Sequence, residues 1–192
     1  MRPALALLAL VPPARVQLFF SEYGGSGSNQ YLEIYNAGDG AVPLALYGLQ
    51  GSERKGSTAA YTHAFPKGAV VQAGDVFVIC DPNAAPAVLA QCDQMHNFAS
   101  DEGANYCLVS SDPTNKMVYD CVGDYAAAGA GWDVCGEGTT KDATLVRRSN
   151  LTADALWVDS NAVETCEWSR LPQDTFTYIG SHPHPRQVHL IM

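Results

Sequence analysis

From Val16 onward the chain alternates short apolar runs with clusters of turn-forming residues. VQLFFSEY (Val16 to Tyr23), YLEIYN (Tyr31 to Asn36) and AVPLALYGLQ (Ala41 to Gln50) come first, followed by AAYTHAF (Ala59 to Phe65) and DVFVIC (Asp75 to Cys80). Each is rich in aromatic or branched residues and bounded by Gly, Ser, Asn, Asp or Pro, the pattern of strands joined by turns. NYCLVSS (Asn105 to Ser111) and KMVYDCVG (Lys116 to Gly123) flank Asp112-Pro113-Thr114-Asn115, which reads as a hairpin loop. TLVRRS (Thr144 to Ser149) supplies another strand, and the Ala-, Leu- and Gln-rich segment Ala84 to Gln94 predicts one short helix. So many short strands with so little helix predict an all-β sandwich or barrel. There is no internal repeat and no heptad pattern.

The two ends break this pattern. MRPALALLALVPPARVQ has one basic residue, Arg2, ahead of the apolar run Ala4 to Val11, which predicts a secretory signal peptide over residues 1–16. That run is too short to span a bilayer, and no other stretch is long and apolar enough, so no membrane span is expected. The domain is expected over residues 17–181, and HPHPRQVHLIM (His182 to Met192) is read as a disordered tail. An even set of cysteines behind an export signal favours disulfides among Cys80, Cys92, Cys107, Cys121, Cys135 and Cys166. If the hairpin loop centres on Thr114, Cys107 and Cys121 fall opposite one another, at a cross-strand distance that a bridge can span. Cys80 ends a strand and Cys92 lies in the helix after it, a short return that suits a second bridge; Cys135 and Cys166 pair by elimination. A zinc site would want close C-x-x-C pairs, and these cysteines are much farther apart.

Charge and motif narrow the functional classes. With 20 acidic residues against 11 Lys and Arg, the net charge of -9 repels a phosphate backbone, so no nucleic-acid partner is expected. The pairs Arg54-Lys55 and Arg147-Arg148 are read as solvated surface. Gly24-Gly25-Ser26-Gly27-Ser28 approaches G-x-S-x-G but ends in Ser, and the glycines run from strand to strand with no Lys, which fits neither a nucleophile elbow nor a phosphate loop. The histidines His63, His96, His182, His184 and His189 form no H-E-x-x-H and are read as surface residues. Calcium ligands, if any, would come from Asp101, Glu102 and Asn105 in SDEGAN, or from Asp124 and Asp133; neither set has EF-hand spacing, and solvated acidic loops account for both. His182-Pro183-His184-Pro185 offers two imidazoles to a transition metal, but a partly polyproline end accounts for it. Asn150-Leu151-Thr152 is a glycosylation sequon.

Several phrases together resemble one family, the lamin tail domain: FFSEY with YLEIYN, then VVQAGDVFVI, VYDCVGD, TLVRRS and the closing EWSRLPQDTFTYIGSH, spanning Leu18 to His182. They are most similar to the versions in secreted bacterial and algal proteins. The resemblance implies an immunoglobulin-like β-sandwich. It also implies structural roles for Glu33 and Asn36 as recurring polar positions, and for Trp132 and Trp168 as residues packed in or against the core. Asp75, in the turn that opens a strand, is expected to bond local backbone. The family has no shared catalytic residues; its members are nuclear-lamina binding modules or accessory domains beside secreted nucleases and other hydrolases. This chain has no heptad rod, nuclear localisation cluster or prenylation cysteine, and it is expected to be the domain alone. The resulting expectation is a secreted, non-catalytic binding or structural module with no cofactor, whose partner is an extracellular protein or glycan. The alternatives are a hydrolase-like enzyme with a loop site not visible in the sequence, and a calcium-dependent adhesion module.

Overall fold

A computed structural model describes residues 18–25, 27–52, 60–98, 105–115, 117–124, 131–149 and 157–182. The strands are β1 (Leu18–Gly24), β2 (Tyr31–Asn36), β3 (Val42–Pro43), β4 (Tyr47–Ser52), β5 (Ala60–Ala64), β6 (Val70–Val71), β7 (Val76–Cys80), β8 (Gln94–Met95), β9 (Tyr106–Ser110), β10 (Val118–Val122), β11 (Ala143–Arg147) and β12 (Trp168–Pro172). Two four-residue helices, α1 (Pro86–Leu89) and α2 (Trp157–Ser160), sit between strands. A sheet of order β12-β11-β1-β2-β7-β8 faces a sheet of order β10-β9-β4-β5, and β3 pairs with β6 beside them. Neighbouring strands are antiparallel throughout except β7 and β8. The chain is therefore all-β, an immunoglobulin-like sandwich.

The first strand shows how its sequence sets both faces of the larger sheet. Phe20 stands opposite Ile34, yet Glu22 stands opposite Glu33, so Ser21 is the extra residue of a β-bulge. A bulge shifts the two-residue alternation by one. Phe20 and Tyr23 consequently both enter the core between the sheets, where they meet Leu32, Ile34, Phe77, Ile79 and Leu145 from the same sheet and Leu49, Leu108 and Val122 from the other. A smaller cluster of Tyr31, Cys80, Ala84 and Val88, with Phe176 and Ile179 packed on it, lies apart from that core. Trp132 and Trp168 both belong to the main core.

Several elements differ from the sequence reading, the two-residue strand β6 among them. AVPLALYGLQ is not one strand: Pro43 cannot donate to a ladder, and a 3-10 turn, Leu44–Leu46, separates β3 from β4. The expected helix over 84–94 shortens to Pro86–Leu89, because Cys92 is bonded back to Cys80 and Gln94–Met95 pairs with β7. α2 is a second short helix where one was expected. β12 was not foreseen as a strand, since WSRLP lacks apolar alternation; it pairs as the edge of the larger sheet through Arg147 opposite Trp168.

Three disulfides lie in this frame. Cys107 and Cys121 are cross-strand partners in the β9–β10 ladder and are bonded with a Cα–Cα distance of 4.1 Å. Cys80–Cys92 ties β7 to the segment after α1, and Cys135–Cys166 joins the loops before β11 and β12.

Candidate functional site

The glycine loop between β1 and β2 is shaped by close approach. A Cβ on Gly24 would lie 2.3 Å from the Tyr31 ring, and one on Gly25 would lie 2.5 Å from the Thr140 carbonyl. The Gly25 amide donates to the Ala143 carbonyl at 3.1 Å, so this backbone is pinned to the sheet instead of being turned toward a ligand. Asn29 closes the loop, accepting from the Ala85 amide at 2.8 Å and donating to Asp174 at 3.0 Å.

Of the calcium candidates, Asp101 and Glu102 lie outside the described residues. Asn105 is buried, and its amide donates to the Asp124 carbonyl at 3.0 Å. Its Oδ1 and the indole N–H of Trp132 are both buried without a hydrogen-bond partner, and a Cβ on Gly123 would lie 2.5 Å from that indole nitrogen. Asp133 caps a turn by accepting from the Gly136 amide at 2.9 Å. No group of three or more His, Cys, Asp or Glu side chains able to hold a metal occurs among the described residues. Asn150, Arg54, Lys55 and the tail beyond His182 also lie outside them, as do residues 1–16.

Polar chemistry is concentrated in two buried clusters, both built on the larger sheet. In the first, Arg147 of β11 is fully buried, which corrects its reading as solvated surface. Its guanidinium donates to both carboxylate oxygens of Asp120 on β10, at 3.0 and 2.8 Å, and to Glu167 at 3.0 Å through Nε and again through Nη2. The planar fork suits this use, since it meets two carboxylates at once while its face stacks on aromatic rings. Arg147 lies 4.7 Å from the centroid of Trp168 and 5.5 Å from that of Phe19. Asp120 also accepts the Phe20 amide at 2.7 Å, which satisfies a backbone donor beside the β1 bulge and ties the two sheets together. Burial alone would lower the Arg147 pKa, but the charges of Asp120 and Glu167 outweigh it and raise the value.

Among the described residues the second cluster has no Arg or Lys partner. The β1 bulge places Ser21 and Glu22 beside Glu33 of β2, and both glutamates are 1% exposed. The Tyr31 hydroxyl donates to Glu22 at 2.5 Å, and the Ser21 hydroxyl donates to Glu33 at 2.6 Å. The other Glu33 oxygen accepts the Gly180 amide at 2.7 Å. The donors are thus hydroxyls and backbone amides of the strap, and Glu22 Oε2 is buried with no hydrogen-bond partner. Burial pushes Glu22 up to about 8, with the Tyr31 hydroxyl pulling it down and the Glu33 charge pushing it further up. Burial likewise raises Glu33 to about 7, against the pull of Ser21 and of the Gly180 and Ser181 amides and with a smaller upward push from Asp93. With no Arg or Lys among its described partners, burial here favours the protonated carboxyls, where in the first cluster Arg147 supplies the counter-charge.

Residues 173–182 form a strap over this face. Phe176 and Ile179 pack on Tyr31 and its neighbours, the Phe176 ring lying edge-on to Tyr31 at 6.3 Å. His182, placed in the tail by the sequence reading, is buried with its ring 4.7 Å from Tyr35 and 5.7 Å from Phe19. His96 is also buried rather than a surface residue; its ring lies 4.3 Å from that of His63, and burial lowers its pKa to about 4. Of the positions expected to be structural, Asn36 donates to the Gly40 and Val71 carbonyls and accepts from the Gly38 amide, and Asp75 accepts from the Val76 amide.

Paired carboxylates with raised pKa values are a common arrangement for acid–base chemistry, but such chemistry needs a substrate within reach of the proton. Here both groups are 1% exposed, and Glu33 meets the strap through the Gly180 amide. The clusters could have been suspected from VYDCVG, TLVRRS and SEYG, where charged residues interrupt otherwise apolar strands, since an ionisable side chain at such a position must find a partner or lose its charge.

A family model described as Lamin Tail Domain matches residues 12–163. The matched region ends before β12 and the strap. No curated protein matches the chain.

Proposed function

This chain belongs to the lamin tail domain family, and we propose from that premise that it is a secreted, non-catalytic binding or structural module of the type found in secreted bacterial and algal proteins. In this reading residues 1–16 are a signal peptide, residues 17–181 form the module and the chain beyond is a tail. The single observation that carries the non-catalytic part is burial: Glu22, Glu33, Asp120 and Arg147, the charged groups of the two clusters, are each no more than 1% exposed. Their energy goes into joining strands. The extracellular part is supported by the three disulfides, which persist in oxidising compartments. Asn150 is then available for glycosylation. The partner, an extracellular protein or glycan, would meet the loops or the sheet edges at β5 and β10, which end the smaller sheet.

Intact mass of the protein from its native source, reduced and non-reduced, tests the compartment; the reading expects loss of the leader and a six-proton difference between the two forms. A mass that retains residues 1–16, or reduced cysteines, would overturn secretion. Binding to arrayed extracellular glycans and proteins, run beside turnover assays with nuclease and esterase substrates, tests the rest. Turnover that survives purification to homogeneity would replace the module with an enzyme.

A further inference from the structure

We propose that the Glu22–Glu33 pair is a proton-operated latch for the C-terminal strap: with the pair protonated, residues 173–182 stay closed on the larger sheet, and loss of the protons releases them. The geometry carries this in three steps. First, the two carboxylates are register neighbours on adjacent central strands, and the bulge at Ser21 turns both to one side. Their hydrogen-bond donors are hydroxyls and backbone amides of the strap, and Glu22 Oε2 has none. Two ionised carboxylates there would repel one another in a site of low dielectric.

Second, the two faces around the pair differ. The opposite face of β1 and β2 is filled by Phe20, Leu32, Ile34 and the rest of the main core. The strap, by contrast, is held by the Gly180 amide on Glu33, by Phe176 and Ile179, by His182 against Phe19 and Tyr35, and by Asp174 accepting from Asn29. The disulfides all lie N-terminal to it, the last cysteine being Cys166. A surface segment with few buried contacts and no covalent tie is the part that opens at lowest free energy.

Third, the group that senses the proton touches the strap directly, Glu33 accepting the Gly180 amide; that bond by itself favours the ionised carboxylate, so release on ionisation is driven by the charge's demand for water, which the closed strap denies it. The other groups facing the pair are Tyr31 on β2, Asp93 after α1, and Tyr35 and His182 at the far end of the strap. Arg147 lies beyond Phe19 and is held by Asp120 and Glu167. Burial raises both glutamates in the closed state, Glu22 to about 8 and Glu33 to about 7, and access of water on opening would lower them toward the ordinary carboxylate range. The closed state therefore binds more protons than the open one between those limits. Closure is complete below the open-state value and is lost as pH rises through the closed-state values.

The test is amide hydrogen exchange of Gly180 and Ser181 in the full chain from pH 5 to 9, each rate divided by its intrinsic rate. The latch predicts that strap opening grows by about tenfold per pH unit or more between pH 6 and 8 and levels off above pH 8, while core amides such as those of Leu32 and Ile34 keep their protection. The E22Q/E33Q double variant, neutral at every pH, should keep the strap closed throughout. Protection of Gly180 that is independent of pH in the wild type would overturn the proposal, and this series needs no variant to fold. So would a double variant that retains the wild-type response. His182→Asn tests the imidazole of the strap: a response abolished by it but kept in E22Q/E33Q would assign the switch to His182 and refute the latch.

Discussion

The two buried polar clusters solve the same problem in opposite ways. At Arg147 a permanent cation is matched by Asp120 and Glu167, so the site carries its own counter-charge across the working pH range. At Glu22 and Glu33 two acids share a dry site with hydroxyl and amide donors, and neutrality has to come from protons. The first arrangement ties β10 and β11 together with little dependence on pH. The second makes the fit of the strap conditional. Compensation within the protein gives a fixed joint, whereas compensation from solvent gives one that can be operated.

The comparison is broken most severely at the fixed joint. Arg147→Met would leave Asp120 buried without its cation, and a loss of about 3–5 kcal/mol in urea denaturation is expected. A loss under 1 kcal/mol would mean that the pairing contributes nothing. Replacing Cys135 and Cys166 by Ala removes a bridge one residue from Glu167 and should cost about 3 kcal/mol, mainly through a less constrained unfolded chain. At the conditional joint, E22Q/E33Q should change the slope of stability against pH. Because the native pKa values are raised, the wild type loses stability as pH climbs from 6 to 8, and the double variant should remove on the order of 3 kcal/mol of that decline. A control outside both regions is Asp75→Ala, which removes one exposed local hydrogen bond and should cost about 0.5 kcal/mol at any pH.

Much of the fold was legible because strand signals are local. The runs from Leu18 to Arg147 announced most of the strands, and the position of the hairpin loop placed Cys107 opposite Cys121. What stayed hidden depends on contacts distant in sequence. Arg147 sits beside Arg148 and looks like a surface pair until β10, 27 residues away, supplies Asp120. Glu33 could be assigned a structural role, yet its partner on the strap is 147 residues away. The bulge at Ser21 was equally silent, since SEY is compatible with either register and the choice is made by Phe20 and Tyr23 both entering the core. β12 escaped because an edge strand need bury only one residue firmly, here Trp168.

The distinction between the two clusters rests on the protonation of the glutamate pair, and that can be observed directly. Side-chain carboxyl carbons of Glu22 and Glu33, followed by NMR through a pH titration, should shift in two steps with midpoints near 7 and 8, belonging to the pair as a coupled unit. Both steps should disappear in E22Q/E33Q. Midpoints of both carboxyls near 4.5, the value of a solvated glutamate, would mean that the pair is ionised at neutral pH and would contradict the account.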